Sequence, residues 1–200
     1  MGQRLVVTIK DGDERLCNIY YHWSAYTMSA LHQTKKLINC IYNHEDETKE
    51  ELLLRLIRFC ENDGGGISGG PNGEEWKYIQ NLYPNEIFKA DEISRSDGLI
   101  SLSEKKMNIS QSWSEEDVDV DINEDMVLFG VYFYYDNIED YIRAQQEWDE
   151  EYEGIHIEDI PSIDYDLNYF AISDIDAIIE DLYEKGSPVR YGNDIFEFIE

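Results

Sequence analysis

Basic residues are nearly missing from the second half of this chain. From residue 114 to residue 200 there are 3 Lys/Arg against 27 Asp/Glu, a net charge of −24, whereas residues 1–113 carry 13 against 17, a net of −4; together they make the −28 of the whole chain. Cysteine is scarce as well. Cys17, Cys40 and Cys60 are odd in number and widely spaced, which excludes a disulfide framework and predicts a reducing, cytoplasmic setting. Long apolar runs are absent. The first ten residues hold too short an apolar stretch for a signal peptide, and position 6 is Val where a myristoylation pattern needs Ser or Thr. No run approaches the roughly 20 residues of a membrane span. An anionic lipid surface would repel so acidic a chain.

What is present is an unusual amount of acid on a chain able to fold. Solubility needs a net charge of only about 2–8 in magnitude for a small domain, and self-repulsion among carboxylates costs folding free energy. Disordered acidic tails are poor in aromatic and β-branched residues. This chain has 15 Tyr, 7 Phe and 4 Trp, and Val127–Tyr135 reads as a core strand. The acidic half is therefore expected to fold and to present its charge on a defined shape.

Local patterns predict an α+β fold. Residues 4–10 and 16–23 form a hairpin around the turn Asp11-Gly12-Asp13-Glu14. Apolar residues at helical spacing predict helices over Thr27–Asn43 and Asp46–Glu61, the second with an acidic first turn, and a shorter one over Glu74–Leu82. The six glycines between Gly64 and Gly73 exclude regular structure there. Strands at Leu99–Ser103, Met107–Trp113, Val118–Ile122 and Met126–Tyr135 are expected to make an antiparallel meander, followed by a helix over Asn137–Tyr152, a strand at Tyr169–Ile172 and a helix from a cap at Asp174 to Lys185. Residues 194–200 are too short to assign. The chain divides into an N-terminal hairpin with two helices (1–61), a glycine-rich connector with an irregular segment (62–97) and an acidic antiparallel sheet with helices (98–200), or folds as one continuous domain.

Several motifs invite chemistry and fail on spacing. Gly64 and Gly69 have the gap of a phosphate-binding P-loop, but Gly70-Pro71 stands where Lys-Ser/Thr must be. Asp117-x-Asp119-x-Asp121 opens like an EF-hand, but the sixth and twelfth positions hold Ile122 and Leu128 instead of Gly and Glu. Strand alternation instead turns Val118, Val120 and Ile122 inward and sets the three aspartates outward about 6.7 Å apart. Cys40-x₃-His44, with His32, His22 and Cys60, lacks the paired CxxC of a zinc site, and Cys40 falls on an apolar stripe. No metal or cofactor is expected.

The acidic helix is the stronger signal. Asp136, Glu139, Asp140, Glu147, Asp149, Glu150, Glu151 and Glu153 face a single Arg143 over a span of about 26 Å. A DNA strand carries about 8 charges over that length. Asp164 and Asp166 around Tyr165, and the later acidic helix with Asp174, Asp176, Glu180, Asp181 and Glu184, extend the field. Aromatics set among carboxylates suit a protein-binding surface, where carboxylates pair with Arg and Lys and rigid rings supply anchors.

In charge, size and aromatic content, residues 114–200 make the chain resemble the small acidic proteins of phages and mobile elements that mimic nucleic acid and block restriction enzymes, CRISPR effectors or repair enzymes. The resemblance implies a non-enzymatic inhibitor that binds a basic nucleic-acid-binding protein, such as a host defence nuclease, and occupies its DNA or RNA site. The partner-facing residues expected on that reading are Asp117, Asp119, Asp121, Asp136, Glu139, Asp140, Glu147, Asp149, Glu150, Glu151, Glu153, Asp164 and Asp166. Two alternatives stand beside it: an adaptor or structural interaction protein of phage type, and a small enzyme using the His22 region and the glycine-rich loop.

Overall fold

A computed structural model describes residues 4–25, 27–42, 47–89, 97–103, 114–131, 169–184, 188–191 and 195–198. The N-terminal hairpin forms as the turn chemistry predicts, with β1 (Leu5–Asp11) antiparallel to β2 (Glu14–Tyr21). Gly12 takes a positive φ of 60° in the turn, a conformation that costs a residue without Cβ little. Helices α1 (Thr27–Tyr42) and α2 (Lys49–Asn62) follow. The second starts three residues later than its acidic run suggests. Thr48 and Glu51 form a capping box: the Thr48 backbone N–H donates to Glu51 Oε2 at 2.8 Å, and the Glu51 N–H donates to the Thr48 hydroxyl at 3.3 Å.

The glycine-rich segment is more regular than its composition implies. Gly66–Ile67 is a short strand, β3, parallel to β4 (Asp97–Ser101), and Ser68 N–H donates to the Ile100 carbonyl. Gly64, Gly69 and Gly70 have φ of 94°, 79° and 69°, so the glycines allow the sharp turns on either side of that strand. Helix α3 (Glu74–Leu82) follows as expected.

The sheet corrects the expected meander. Strands β5 (Glu116–Asp121), β6 (Met126–Gly130) and β7 (Tyr169–Ala171) join the earlier ones in a seven-stranded sheet of order β3-β4-β2-β1-β5-β6-β7. The hairpin β1–β2 thus sits between β4 and β5, which the sequence places in one consecutive run. The sheet is also mixed, not antiparallel: β1 runs parallel to β5, from Leu5 opposite Glu116 to Lys10 opposite Asp121. The reason is in β1 itself. Leu5, Val6, Val7, Thr8 and Ile9 are all buried, so this strand needs cover on both faces and a neighbour on each side, as central strands do. The expected strand over 107–113, the residues beyond Val131 in the expected strand 126–135, and the helix over 137–152 lie outside the described residues.

A 3-10 turn, Ile172–Asp174, leads from β7 into α4 (Ile175–Glu184). Asp174, expected as the cap, ends that turn and accepts a hydrogen bond from the Ser173 hydroxyl. Residues 188–198, left partly unassigned by the sequence, hold a separate hairpin of β8 (Pro188–Tyr191) and β9 (Ile195–Phe198). No helix among the described residues is long and apolar enough to cross a membrane.

One face of the sheet carries the core. Leu5, Val7, Ile9, Ile19, Tyr21, Ile100, Val118, Val120, Val127 and Phe129 pack with residues of the four helices, among them Leu31, Leu37, Leu56, Ile57, Ile79 and Ile178. The period-2 alternation of β5 is as expected, with Val118 and Val120 inward and the aspartates on the other face. A buried carboxylate fixes α3 to the sheet. Glu75 accepts from the backbone N–H of Leu102 (2.6 Å) and of Ser103 (3.1 Å) and from the Ser103 hydroxyl. Replacing Glu75 with Ala leaves those backbone donors buried without acceptors, and should lower unfolding free energy by about 3 kcal/mol. Glu75→Gln, which keeps one acceptor, should lose less, with denaturant unfolding as the check.

Candidate partner-binding surface

The parallel pairing of β1 with β5 brings three acidic connections to one end of the sheet. The β1–β2 turn holds Asp11, Asp13 and Glu14, and the β5–β6 turn holds Asp121, Glu124 and Asp125. β7 runs antiparallel to β6 and ends at the same end, where the Ile172 N–H donates to the Asp125 carbonyl, so the start of α4 adds Asp174 and Asp176. Asp11, Asp13, Glu14, Glu124, Asp125, Asp174 and Asp176 are all exposed.

These carboxylates divide by role. Asp121 is structural: its Oδ1 accepts from the backbone N–H of Gly12 (3.1 Å), Asn123 (3.0 Å) and Glu124 (3.2 Å), which ties the two turns together. Desolvation alone would raise its pKa, but the three N–H donors and Lys10 together hold it below the ordinary value. Asp125 accepts from the Tyr42 hydroxyl at 2.6 Å, while Glu14 pairs with Lys49 and Asp176 with Lys35. Asp11, Asp13 and Glu124 make no ion pair among the described residues, so their charge faces solvent.

The aspartate row of β5 is less open than the alternation suggests. Asp119 pairs with Lys10 Nζ at 3.0 Å, and Asp121 is occupied by the turns. Asp117 is exposed, yet the surrounding protein raises its carboxyl above the ordinary value, through desolvation first; the Ser114 hydrogen bond and Arg15 oppose the rise and Asp119 adds to it. Water around an exposed side chain screens such an effect. Asp136, Glu139, Asp140, Glu147, Asp149, Glu150, Glu151, Glu153, Asp164 and Asp166 lie outside the described residues. Asp11, Asp13, Glu124 and Asp125, which local patterns mark only as turn residues, join the acidic surface because of a pairing between strands more than a hundred residues apart. No local signal in the sequence carries that.

The catalytic alternative finds little geometry. Tyr20 Oη and His22 Nδ1 are hydrogen-bonded at 2.9 Å, and the Trp23 ring meets His22 edge-on with centroids 4.8 Å apart. The loop after β3 leaves toward the other end of the sheet, because Ser68 follows the Ile100 register while His22 follows Tyr21 on the antiparallel β2. His22 and the Ser68–Gly73 turn therefore do not share a cleft. The cysteines are not nucleophiles either: burial pushes Cys17 up to about 12, raises Cys60 well above its ordinary value and raises Cys40, so all three stay protonated at neutral pH. His44, the imagined zinc partner of Cys40, lies outside the described residues, and no group of three His, Cys, Asp or Glu forms a metal site among those described. Comparison with protein-family models, with curated proteins and with solved structures returns no match.

The depressed Asp121 pKa sets a pH dependence. A carboxylate with a folded-state pKa below its unfolded value contributes stability that is complete above the unfolded value, near 3.8, and is lost as pH falls through the folded one. Asp121→Ala should cost about 1–2 kcal/mol at neutral pH, and the difference from wild type should shrink in that acid range. Thermal unfolding measured from pH 7 down to pH 2 checks both.

Proposed function

We propose that this chain is a non-catalytic acidic binding protein that meets a basic surface on a nucleic-acid-binding protein and blocks its DNA or RNA site by presenting carboxylates in place of phosphates. The observation that carries the reading is the segregation of charge: −24 of the −28 falls in residues 114–200, of which 114–131 and 169–184 contribute core strands and a packed helix. Charge fixed on a folded frame has a shape to present. Its long-range field speeds encounter with a cationic partner and weakens as salt shortens the screening length. A host defence nuclease, such as a restriction enzyme or CRISPR effector, fits the partner chemistry.

The test is a tagged pull-down from bacterial lysate with and without nuclease, washed at rising salt and with competing DNA. A basic nucleic-acid-binding protein should be retained after nuclease treatment and released by salt or by DNA. Neutralising the solvent-facing carboxylates (Asp11→Asn, Asp13→Asn, Glu124→Gln) should slow its association several-fold at low salt while leaving thermal stability nearly unchanged. Partners that survive high salt and ignore these substitutions would sink the proposal.

A second reading, an adaptor that binds without mimicry, draws on an exposed apolar group. Tyr78 and Leu82 are one helical turn apart on α3, and Ile87 beyond it is 88% exposed. On that reading Leu82→Glu with Ile87→Glu should abolish partner retention at any salt, and unaltered retention would exclude it.

A further inference from the structure

The second face of the sheet, opposite the helices, is crossed by a polar row. Ser101 on β4 lies opposite Asn18 on β2, Asn18 opposite Thr8 on β1, and Thr8 opposite Asp119 on β5. Directly opposite residues point to the same side of a sheet. Exposure falls along the row. Asp119 is partly exposed, Thr8 is 2% exposed, and Asn18 and Ser101 are fully buried. Val6, on the same face of β1, is also fully buried, so this part of the face is sealed from bulk water.

Asn18 and Ser101 are unpartnered inside that sealed region. Neither Oδ1 nor Nδ2 of Asn18 has a hydrogen-bond partner, and neither does Oγ of Ser101. Such groups are rare in folded proteins, because a buried donor or acceptor left unmade bears its full desolvation cost. Here three orphaned atoms belong to two residues paired across adjacent antiparallel strands, whose Cβ atoms are separated by about 4.5–5.5 Å. That spacing is short enough for one small molecule to reach both side chains. Asn18 supplies two donors and an acceptor, and Ser101 a donor and an acceptor, so the complement is a neutral molecule that both donates and accepts. Water is the smallest, and buried waters commonly make two to four such bonds.

We infer that Asn18 and Ser101 form an internal water-binding site, occupied in the folded protein and bridging β2 to β4. The water restores the hydrogen bonds that two polar residues lose in the centre of a sheet, a place where apolar β-branched residues are the common choice.

A crystal structure of the full chain at high resolution, together with unfolding of two variants, tests this. The expected density is a single peak within about 3.2 Å of an Asn18 amide atom and of Ser101 Oγ. Protein atoms bonded to both groups, a direct Asn18–Ser101 bond, an empty site, or density for a larger molecule would each overturn the inference. In the variants, Asn18→Leu keeps the branched side-chain shape but evicts the water and orphans Ser101, so Tm should fall by about 4 °C or more. Ser101→Ala should lower Tm in the wild type but restore part of the loss in the Asn18→Leu background, where it removes a hydroxyl already left unpartnered. If Asn18→Leu raises Tm, or if the two changes add, the site holds no bridging water. Should either variant fail to fold, the wild-type density decides.

Discussion

The parallel pairing of β1 with β5 is the contact on which the rest of the molecule depends. It joins residues more than a hundred positions apart and places a nearly neutral stretch of chain against a strongly acidic one. Without it the hairpin β1–β2 would have one free edge at the centre of the protein, and the strands β5, β6 and β7 would lose their hydrogen-bonded link to the rest of the sheet. Closing so long a loop costs conformational entropy before its contacts can compensate. The compensation is apolar: Val7 faces Val118 and Ile9 faces Val120, all fully buried in one cluster.

Electrostatics at this seam favours the same pairing. Arg4 Nη2 meets Glu115 Oε1 at 3.0 Å while its backbone N–H donates to the other carboxylate oxygen, and Lys10 meets Asp119. On the helical side Lys35 of α1 reaches Asp176 of α4. In each case a cation from residues 1–113 offsets a carboxylate from residues 114–200. Each partly exposed pair contributes little by itself, on the order of 0–1 kcal/mol. Their common direction matters more, because the cations lower the self-repulsion of the acidic half where it touches the rest of the fold. Among the described residues, Asp11, Asp13 and Glu124 keep their charge uncompensated at the turns.

Much of this fold was legible locally. The hairpin, the four described helices to within three residues, and the inward valines of β5 follow from turn chemistry and apolar periodicity. What was not legible is pairing between distant strands. Alternation in Glu116–Asp121 marks a strand but does not say which strand lies beside it, so a consecutive meander was the simplest expectation and β1 was missed as the neighbour. The clue lay in Leu5–Ile9, an unbroken buried run whose composition suits a central strand better than the edge of a two-stranded hairpin. The glycine segment misled for a different reason. Composition argued against regular structure, yet two residues between positive-φ glycines suffice for an edge strand when β4 offers a partner.

The same distinction separates carboxylates that hold the fold from those that face outward. Counting acids along β5 makes Asp117, Asp119 and Asp121 equivalent. Their environments do not. Asp121 is committed to three backbone donors and Asp119 to Lys10, so a partner would have to break internal contacts before it could use either charge. Among the described residues Asp11, Asp13 and Glu124 carry no such commitment, and they sit on turns whose positions Asp121 fixes. A carboxylate bonded inside the protein therefore sets the geometry of its unbonded neighbours. An arriving cationic surface would meet charge already held in place and would lose less entropy on binding than it would against a flexible acidic tail.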